Sequence, residues 1–146
     1  MTRPPGPVVG VGVLVFRDNG VLLVRRATPP LQGEWSIPGG HAILGETVFE
    51  TACREVREEA SVIIRPLATI DVVDLIDRDE NTGDVRRHFT LIEVLGAWVS
   101  GQPRPGDDAS SAAWVDLAAL DSRRLWSETR RVIDLAFSAW DRLGRP

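Results

Sequence analysis

The sequence predicts an α/β fold of the α+β kind, a mixed β-sheet with helices packed on it. Three observations point there. Val- and Ile-rich runs of strand length are punctuated by turn signals. Two segments carry apolar residues at helical spacing. The resulting order, β-β-β-α-β-β-β-α, brings helices into a chain of strands with no internal repeat and no linker. At 146 residues the chain makes one domain, long enough to bury roughly two thirds of its unfolded surface.

Residues 1–7 (MTRPPGP) read as an extended, Pro-rich N-terminal arm, and 8–146 as a single domain. Val8 to Phe16 is a strand, with Gly10 and Gly12 interleaved. No helix follows them, so they are not a dinucleotide fingerprint. Asp18-Asn19-Gly20 signals a hairpin turn, and Val21 to Arg25 the returning strand. After a loop at 27–34, Trp35-Ser36-Ile37 is a short strand entering a turn at Pro38-Gly39-Gly40. Glu46 to Ala60 is the first helix, with Val48, Phe49, Ala52 and Val56 as its apolar stripe. One or two strands occupy Val62 to Ile76. The polar stretch 77–85 is a hairpin tip, and Arg87 to Ser100 is again β. A loop at 101–111 leads to a short strand, Ala113 to Leu117. Ser127 is the expected N-cap of a second helix running to Leu143, whose apolar face is Val132, Ile133, Ala136, Phe137 and Trp140.

Composition narrows the chemistry. Acidic residues outnumber basic ones by 21 to 17, giving a net charge of −4, so the basic face that nonspecific nucleic-acid binding needs is not expected. All 17 basic residues are Arg; the chain has neither Lys nor Tyr. Schiff-base and P-loop chemistry are therefore excluded. A lone cysteine, Cys53, permits no internal disulfide, and with only His41 and His88 beside it a Cys/His zinc site is not expected. The longest apolar run, Val8 to Phe16, is too short for a membrane span and lacks a signal-peptide cleavage pattern. A soluble cytoplasmic protein with no membrane partner is the expectation.

The segment 40–62, GHAILGETVFETACREVREEASV, concentrates the chemistry. Glu55, Glu58 and Glu59 fall at i, i+3 and i+4, on one face of the predicted helix, where like charges repel. A solvated acidic face balanced by Arg54 and Arg57 is one reading. The other is a divalent cation: carboxylates without His or Cys favour a hard ion, Mg²⁺, Mn²⁺ or Ca²⁺, of the kind that bridges to substrate phosphates. Gly39-Gly40 offers a turn where no Cβ obstructs a ligand and a backbone carbonyl can face the metal.

The spacing around these residues resembles the Nudix box: Gly40, five residues, Glu46, seven residues, then Arg54-Glu55-Val56-x-Glu58-Glu59. Every fixed position matches except the last glycine, replaced by Ser61; Val62 fills the final aliphatic place. The resemblance implies a Nudix-type α/β/α sandwich. It implies that Glu55, Glu58, Glu59 and Gly40 hold Mg²⁺ (or Mn²⁺), with Arg54 and Glu46 orienting the glutamates through a salt bridge. Ser61 stands where a positive φ is required, at a cost of about 1 kcal/mol. A fourth carboxylate is usual in the family. Asp108, from the Asp107-Asp108 pair, is the choice as extra ligand or water-activating base, with Glu58 the rival base and Glu93 a weaker alternative.

On the substrate side, Arg26 matches a phosphate-binding position and Gly39 and Gly40 line the approach. Trp35 is a candidate for base stacking as well as for the core, an ambiguity shared by His88 and Phe89. His41 is placed to line the site without a catalytic role. The implied activity is metal-dependent hydrolysis of a nucleoside diphosphate linked to another group, a small-molecule nucleotide. The 38–41 run and the strand 87–91 resemble ADP-ribose pyrophosphatase-like enzymes. The proline often seen about sixteen residues beyond the box in ADP-ribose enzymes is absent, and no tyrosine is available for diadenosine polyphosphate cleavage. A pool-sanitising enzyme acting on oxidised nucleoside triphosphates is the first alternative, and a non-catalytic nucleotide sensor the second. Many relatives dimerise, but no feature of the sequence fixes a homodimer interface.

Overall fold

The computed structural model describes residues 5–28, 32–106 and 108–146. The expected N-terminal arm falls partly outside these: 1–4 are not described, and 5–7 are exposed without regular structure. Strand β1 (Val8–Arg17) turns through Asp18-Asn19 into β2 (Gly20–Arg26). The turn holds Asp18 at φ 55, and Gly20 pairs with Arg17, so Gly20 belongs to the strand and not to the turn. Short strands β3 (Trp35–Ser36) and β4 (Gly39–His41) follow. The glycine pair, expected as a turn, is therefore a strand: Gly39 and Gly40 pair with Gly12 and Val11.

Helix α1 spans Val48–Ala60, not Glu46–Ala60. A capping box sets the start: Thr47 Oγ1 accepts from the Glu50 amide at 3.1 Å, and Glu50 Oε1 accepts from the Thr47 amide at 3.2 Å. Thr-x-x-Glu was legible at 47–50, and it leaves Glu46 free of the helix. Ala52 and Val56 are fully buried, but Phe49 is 40% exposed and leaves the predicted stripe. The stripe runs instead through Thr51, Ala52, Val56 and Ala60.

Beyond the helix, β5 (Ile63–Arg78) and β6 (Val85–Ser100) form one long antiparallel hairpin. Its tip is shorter than the 77–85 expected, because Asp77 and Arg78 still pair with Arg87 and Val85. Strand β7 (Ala109–Asp116) begins inside the expected 101–111 loop. A 3-10 turn at Leu117–Ser122, unforeseen from sequence, follows with the Asp116 carboxylate capping the Ala118 amide at 2.8 Å. Helix α2 spans Ser127–Arg142; Trp126 is its N-cap residue, without a side-chain hydrogen bond, so Ser127 is the first helical residue and not the cap.

The sheet is mixed, in the order β3-β2-β1-β6-β5, with β4 on β1 and β7 on β2. Only the β1–β6 pairing is parallel among the strand pairs described; the others are antiparallel. Alternation along β1 splits the core in two. Val11, Val13 and Val15 pack with Ala52, Val56 and Ala60 of α1. Leu14 and Phe16 pack with Val132, Ile133, Ala136 and Trp140 of α2. One helix thus covers each face, the predicted α/β/α sandwich, and α2 buries the face anticipated for it. Among the described residues no helix is long and apolar enough to cross a membrane.

Helix α1 ends on Ser61 in the left-handed region, φ 58 and ψ 30, its amide donating to the Arg57 carbonyl at 3.0 Å. This is the strain expected where glycine is missing. Ser61→Gly is expected to stabilise the protein by about 1 kcal/mol, read as a rise of about 3 °C in Tm. An unchanged or lower Tm would show that the left-handed cap costs nothing here.

Candidate active site

The site is built where α1 passes β4. Glu55 and Glu59, one turn apart, lean toward the glycine strand, while Glu58 stays exposed. Gly40 makes the approach feasible: a Cβ there would overlap the Glu55 carboxylate. The Gly40 carbonyl oxygen, the expected backbone ligand, stands on the Gly10 side, 3.8 Å from where a Gly10 side chain would begin.

Arg54 gathers the carboxylates. Its Nη1 donates to Glu55 at 2.8 Å and to Glu58 at 3.1 Å. Its Nε and Nη2 fork onto Glu46 at 2.7 and 3.0 Å, and Nη2 also donates to the His41 carbonyl at 3.0 Å. The guanidinium side chain is 17% exposed, so these contacts are partly shielded from water. Glu46, just outside the helix, also accepts from the Thr51 hydroxyl at 2.7 Å and the Ile43 amide at 3.3 Å. The Arg54 guanidinium, then the Thr51 hydroxyl, hold its carboxyl down to about 2. Reciprocally, Glu46 raises the Arg54 pKa. The pairing of Arg54 with Glu46 was legible from spacing; the contributions of Thr51 and of the His41 carbonyl were not, since both depend on how β4 folds back.

Glu59 is different. Its Oε2 accepts from the Gly39 amide at 3.4 Å, and it lies in partial burial beside Glu55. Burial first, and the Glu55 charge second, push its carboxyl up to about 8; the Gly39 amide and the Arg26 charge act in the opposite direction. Arg26, half-buried at the end of β2, therefore stands within electrostatic reach of the glutamates.

Asp107 lies outside the described residues. Asp108 is exposed; its carbonyl accepts from the Ala27 amide at 3.0 Å, and its carboxylate makes no hydrogen bond or ion pair among the described residues. The loop before it does reach α1: the Gly106 amide donates to the Glu59 carbonyl at 2.9 Å. Trp35 is half-buried against the α2-side core, with the Arg123 guanidinium 5.3 Å from its ring centroid. Glu93, the weaker alternative from sequence, is buried in mid-sheet, where burial and then the Asp71 charge push its carboxyl up to about 7.

Three clustered carboxylates with no imidazole or thiol suit a hard divalent cation. Among the described residues, no three acidic, His or Cys side chains already stand together as a cage. Arg54 spans the space between Glu55 and Glu58 and supplies the positive charge there. The donor chemistry of Glu55, Glu58 and Glu59 suits such a cation.

The family profile described as "NUDIX domain" matches residues 6–136. Over 114 residues the chain is 35% identical to the ADP-ribose pyrophosphatase of Methanocaldococcus jannaschii, an alignment spanning 78% of this chain and 64% of that protein. It is 26% identical over 142 residues to the 8-oxo-dGDP phosphatase NUDT18 of Homo sapiens, spanning 92% of this chain and 42% of that one. The chain thus spans under two thirds of the length of these curated relatives. Among solved structures, the MutT NUDIX hydrolase of Burkholderia pseudomallei superposes with a TM-score of 0.77 at 30% identity, covering 90% of this chain and 98% of that chain.

The raised Glu59 pKa has a consequence for stability. In the folded metal-free protein Glu59 keeps its proton to about pH 8, whereas an unfolded glutamate releases it near 4.5. Between those values the folded state binds more protons, so stability falls as pH rises. Glu93 adds to the fall with the same sign. Thermal melts in chelator from pH 6 to 9 are expected to show a declining Tm, and Glu59→Gln to flatten much of the decline. The same slope in that variant would remove Glu59 as its source.

Proposed function

This chain belongs to the Nudix family, and from that premise we propose that it hydrolyses the pyrophosphate linkage of a nucleoside diphosphate joined to another group, with ADP-ribose or a similar nucleotide sugar as the favoured substrate. The observation that carries the reading is the set of helix glutamates gathered by Arg54 against the Gly39-Gly40 strand. Glu55, Glu58 and Glu59 would hold Mg²⁺ or Mn²⁺, which supplies positive charge toward the bridging and leaving oxygens of the pyrophosphate.

The chain's own groups do the rest. Arg26 binds a phosphate oxygen, the only direct cationic contact available being an arginine. Arg54 and Glu46 hold Glu55 in one orientation, limiting the reorganisation needed during reaction. A water oxygen bonds to one phosphorus, the bond from that phosphorus to the bridging oxygen breaks, and the water proton passes to a carboxylate. Glu58 is assigned that proton, because it is exposed and adjoins Glu55 through Arg54, with Asp108 as the rival. Each product carries one phosphate.

The choice of ADP-ribose is supported by the identity to the Methanocaldococcus jannaschii enzyme. The likeness to an 8-oxo-dGDP phosphatase supports a second reading, sanitisation of oxidised nucleotides. A panel of ADP-ribose, nucleoside diphosphate sugars and oxidised nucleotides, assayed with Mg²⁺, ranks the two by kcat/KM. Highest kcat/KM for ADP-ribose is the expected result. Binding of ADP-ribose without cleavage under any divalent ion would turn the reading toward a sensor.

Two variants test the roles. Glu59→Gln is expected to abolish metal-dependent turnover. Arg54→Gln is expected to weaken activity by about 10- to 100-fold, mainly as a higher metal requirement. For the proton acceptor, Glu58→Gln should lower kcat far more than Asp108→Ala; the reverse order assigns the role to Asp108.

A further inference from the structure

Glu93 lies mid-strand in β6, 4% exposed, with its Oε2 buried and unpartnered among the described residues. Burying a carboxylate without a hydrogen bond is unfavourable, so a sheet has reason to carry an apolar residue there instead. The nearest cation is spoken for: Arg131 of α2 pairs with Asp71 at 2.8 Å and with Glu128. Asp71 is the cross-strand neighbour of Glu93 and carries the same sign of charge.

The geometry of the carboxylate is specific. On its other side Glu93 pairs with Gly12, and Oε2 lies so close over that residue that a Cβ on Gly12 would overlap it. Gly12 in turn pairs with Gly39, whose amide donates to Glu59. The side chain is thus laid flat across β1 toward the strand that flanks the glutamate cluster. Phe89 and Leu91 share the same face of β6 by alternation, and the Phe89 ring stacks on His41, which directly follows Gly40, at a centroid distance of 5.4 Å and 25° between planes. Phe89 and Leu91 are each half-buried, Leu91 against the α2-side core, and Ile37 reaches over Gly12 beside the Glu93 carboxylate. The arrangement is an acceptor without a donor among the described residues, linked through Gly12 to the glycine strand of the site.

We propose that Glu93 is a specificity-determining residue, accepting hydrogen bonds from a pair of adjacent N–H or O–H donors on the nucleoside of the substrate. This rests on the hydrolase reading only for the position of the phosphates. Donors on a ligand favour the ionised form of Glu93, and an ionised carboxylate offers acceptors alone. It matches the N1–H and N2–H pair of a guanine-type base, or the cis-diol of a ribose, and not the mixed donor–acceptor edge of adenine. Leaving such an acceptor unfilled penalises a ligand that lacks the donors.

The test uses the metal-free protein and product nucleotides, so it does not depend on turnover. Calorimetric titration of GMP, IMP, AMP and dGMP is expected to show the wild type preferring GMP over IMP and AMP if the donors are on the base, or all three ribonucleotides over dGMP if they are on the ribose. Glu93→Gln, which keeps the shape, is expected to lose about 10- to 100-fold for the preferred ligand. In the base case it gains for AMP, because an amide matches the adenine edge. Glu93→Asp keeps the charge but withdraws it from Gly12, and should lose the same selectivity with Tm maintained. Affinities within about 2-fold of wild type for all four nucleotides in both variants, or an equal loss for all four, would overturn the assignment. If the selectivity shift occurs while the wild type cleaves nothing with any divalent ion, the hydrolase reading fails and the role of Glu93 stands. If cleavage occurs and both variants keep wild-type selectivity, the role of Glu93 fails alone.

Discussion

The fork of Arg54 is the contact on which the site depends. One guanidinium reaches three carboxylates and one backbone carbonyl, drawn from helix α1, the residue before its cap and strand β4. Without it, Glu46, Glu55 and Glu58 would stand close together with no cation between them, and a helix with that face would lose stability to repulsion. A planar group with fixed donor directions suits this better than an ammonium would. Because the contact ties the helix to β4, it also fixes how far Gly40 stands from Glu55. Placement of the carboxylates and the pairing of the glycine strand are therefore one structural fact.

The sandwich serves that contact from both sides. Val11, Val13 and Val15 press β1 against Ala52, Val56 and Ala60, which sets the depth of α1. β4 pairs with the same strand, so the helix and the glycine pair share β1 as a common reference. On the opposite face α2 closes the second core over Leu14 and Phe16, and Leu91 packs against it. Strand β4 is two-faced by alternation: Gly40 meets Glu55, and His41 meets Phe89.

Among the described residues Glu59 and Glu93 are the carboxylates held with a raised pKa, and for different reasons. Glu59 is buried next to Glu55, in a cluster that one arginine cannot fully neutralise. Glu93 is buried next to Asp71, on the far side of β1. Each is a local departure from the rule that buried charge is paired.

Much of this was written in the chain. The spacing from Gly40 through Glu46 to Arg54, Glu55, Glu58 and Glu59 specified which residues share a face, because helical periodicity depends on local geometry alone. The strand alternation of β1, the two-residue hairpin at Asp18-Asn19 and the left-handed Ser61 were equally local. Even the true helix start was present as Thr47-x-x-Glu50, although Glu46 drew the boundary two residues early. What only the tertiary structure decided were the pairings between distant segments. These made Gly39-Gly40 a strand, brought the Gly106 amide to the Glu59 carbonyl and the His41 carbonyl to Arg54, and laid Glu93 over Gly12. Periodicity states which way a side chain faces along its own element; which neighbour it meets there is set by sheet register and packing between segments tens of residues apart, and no local pattern encodes that.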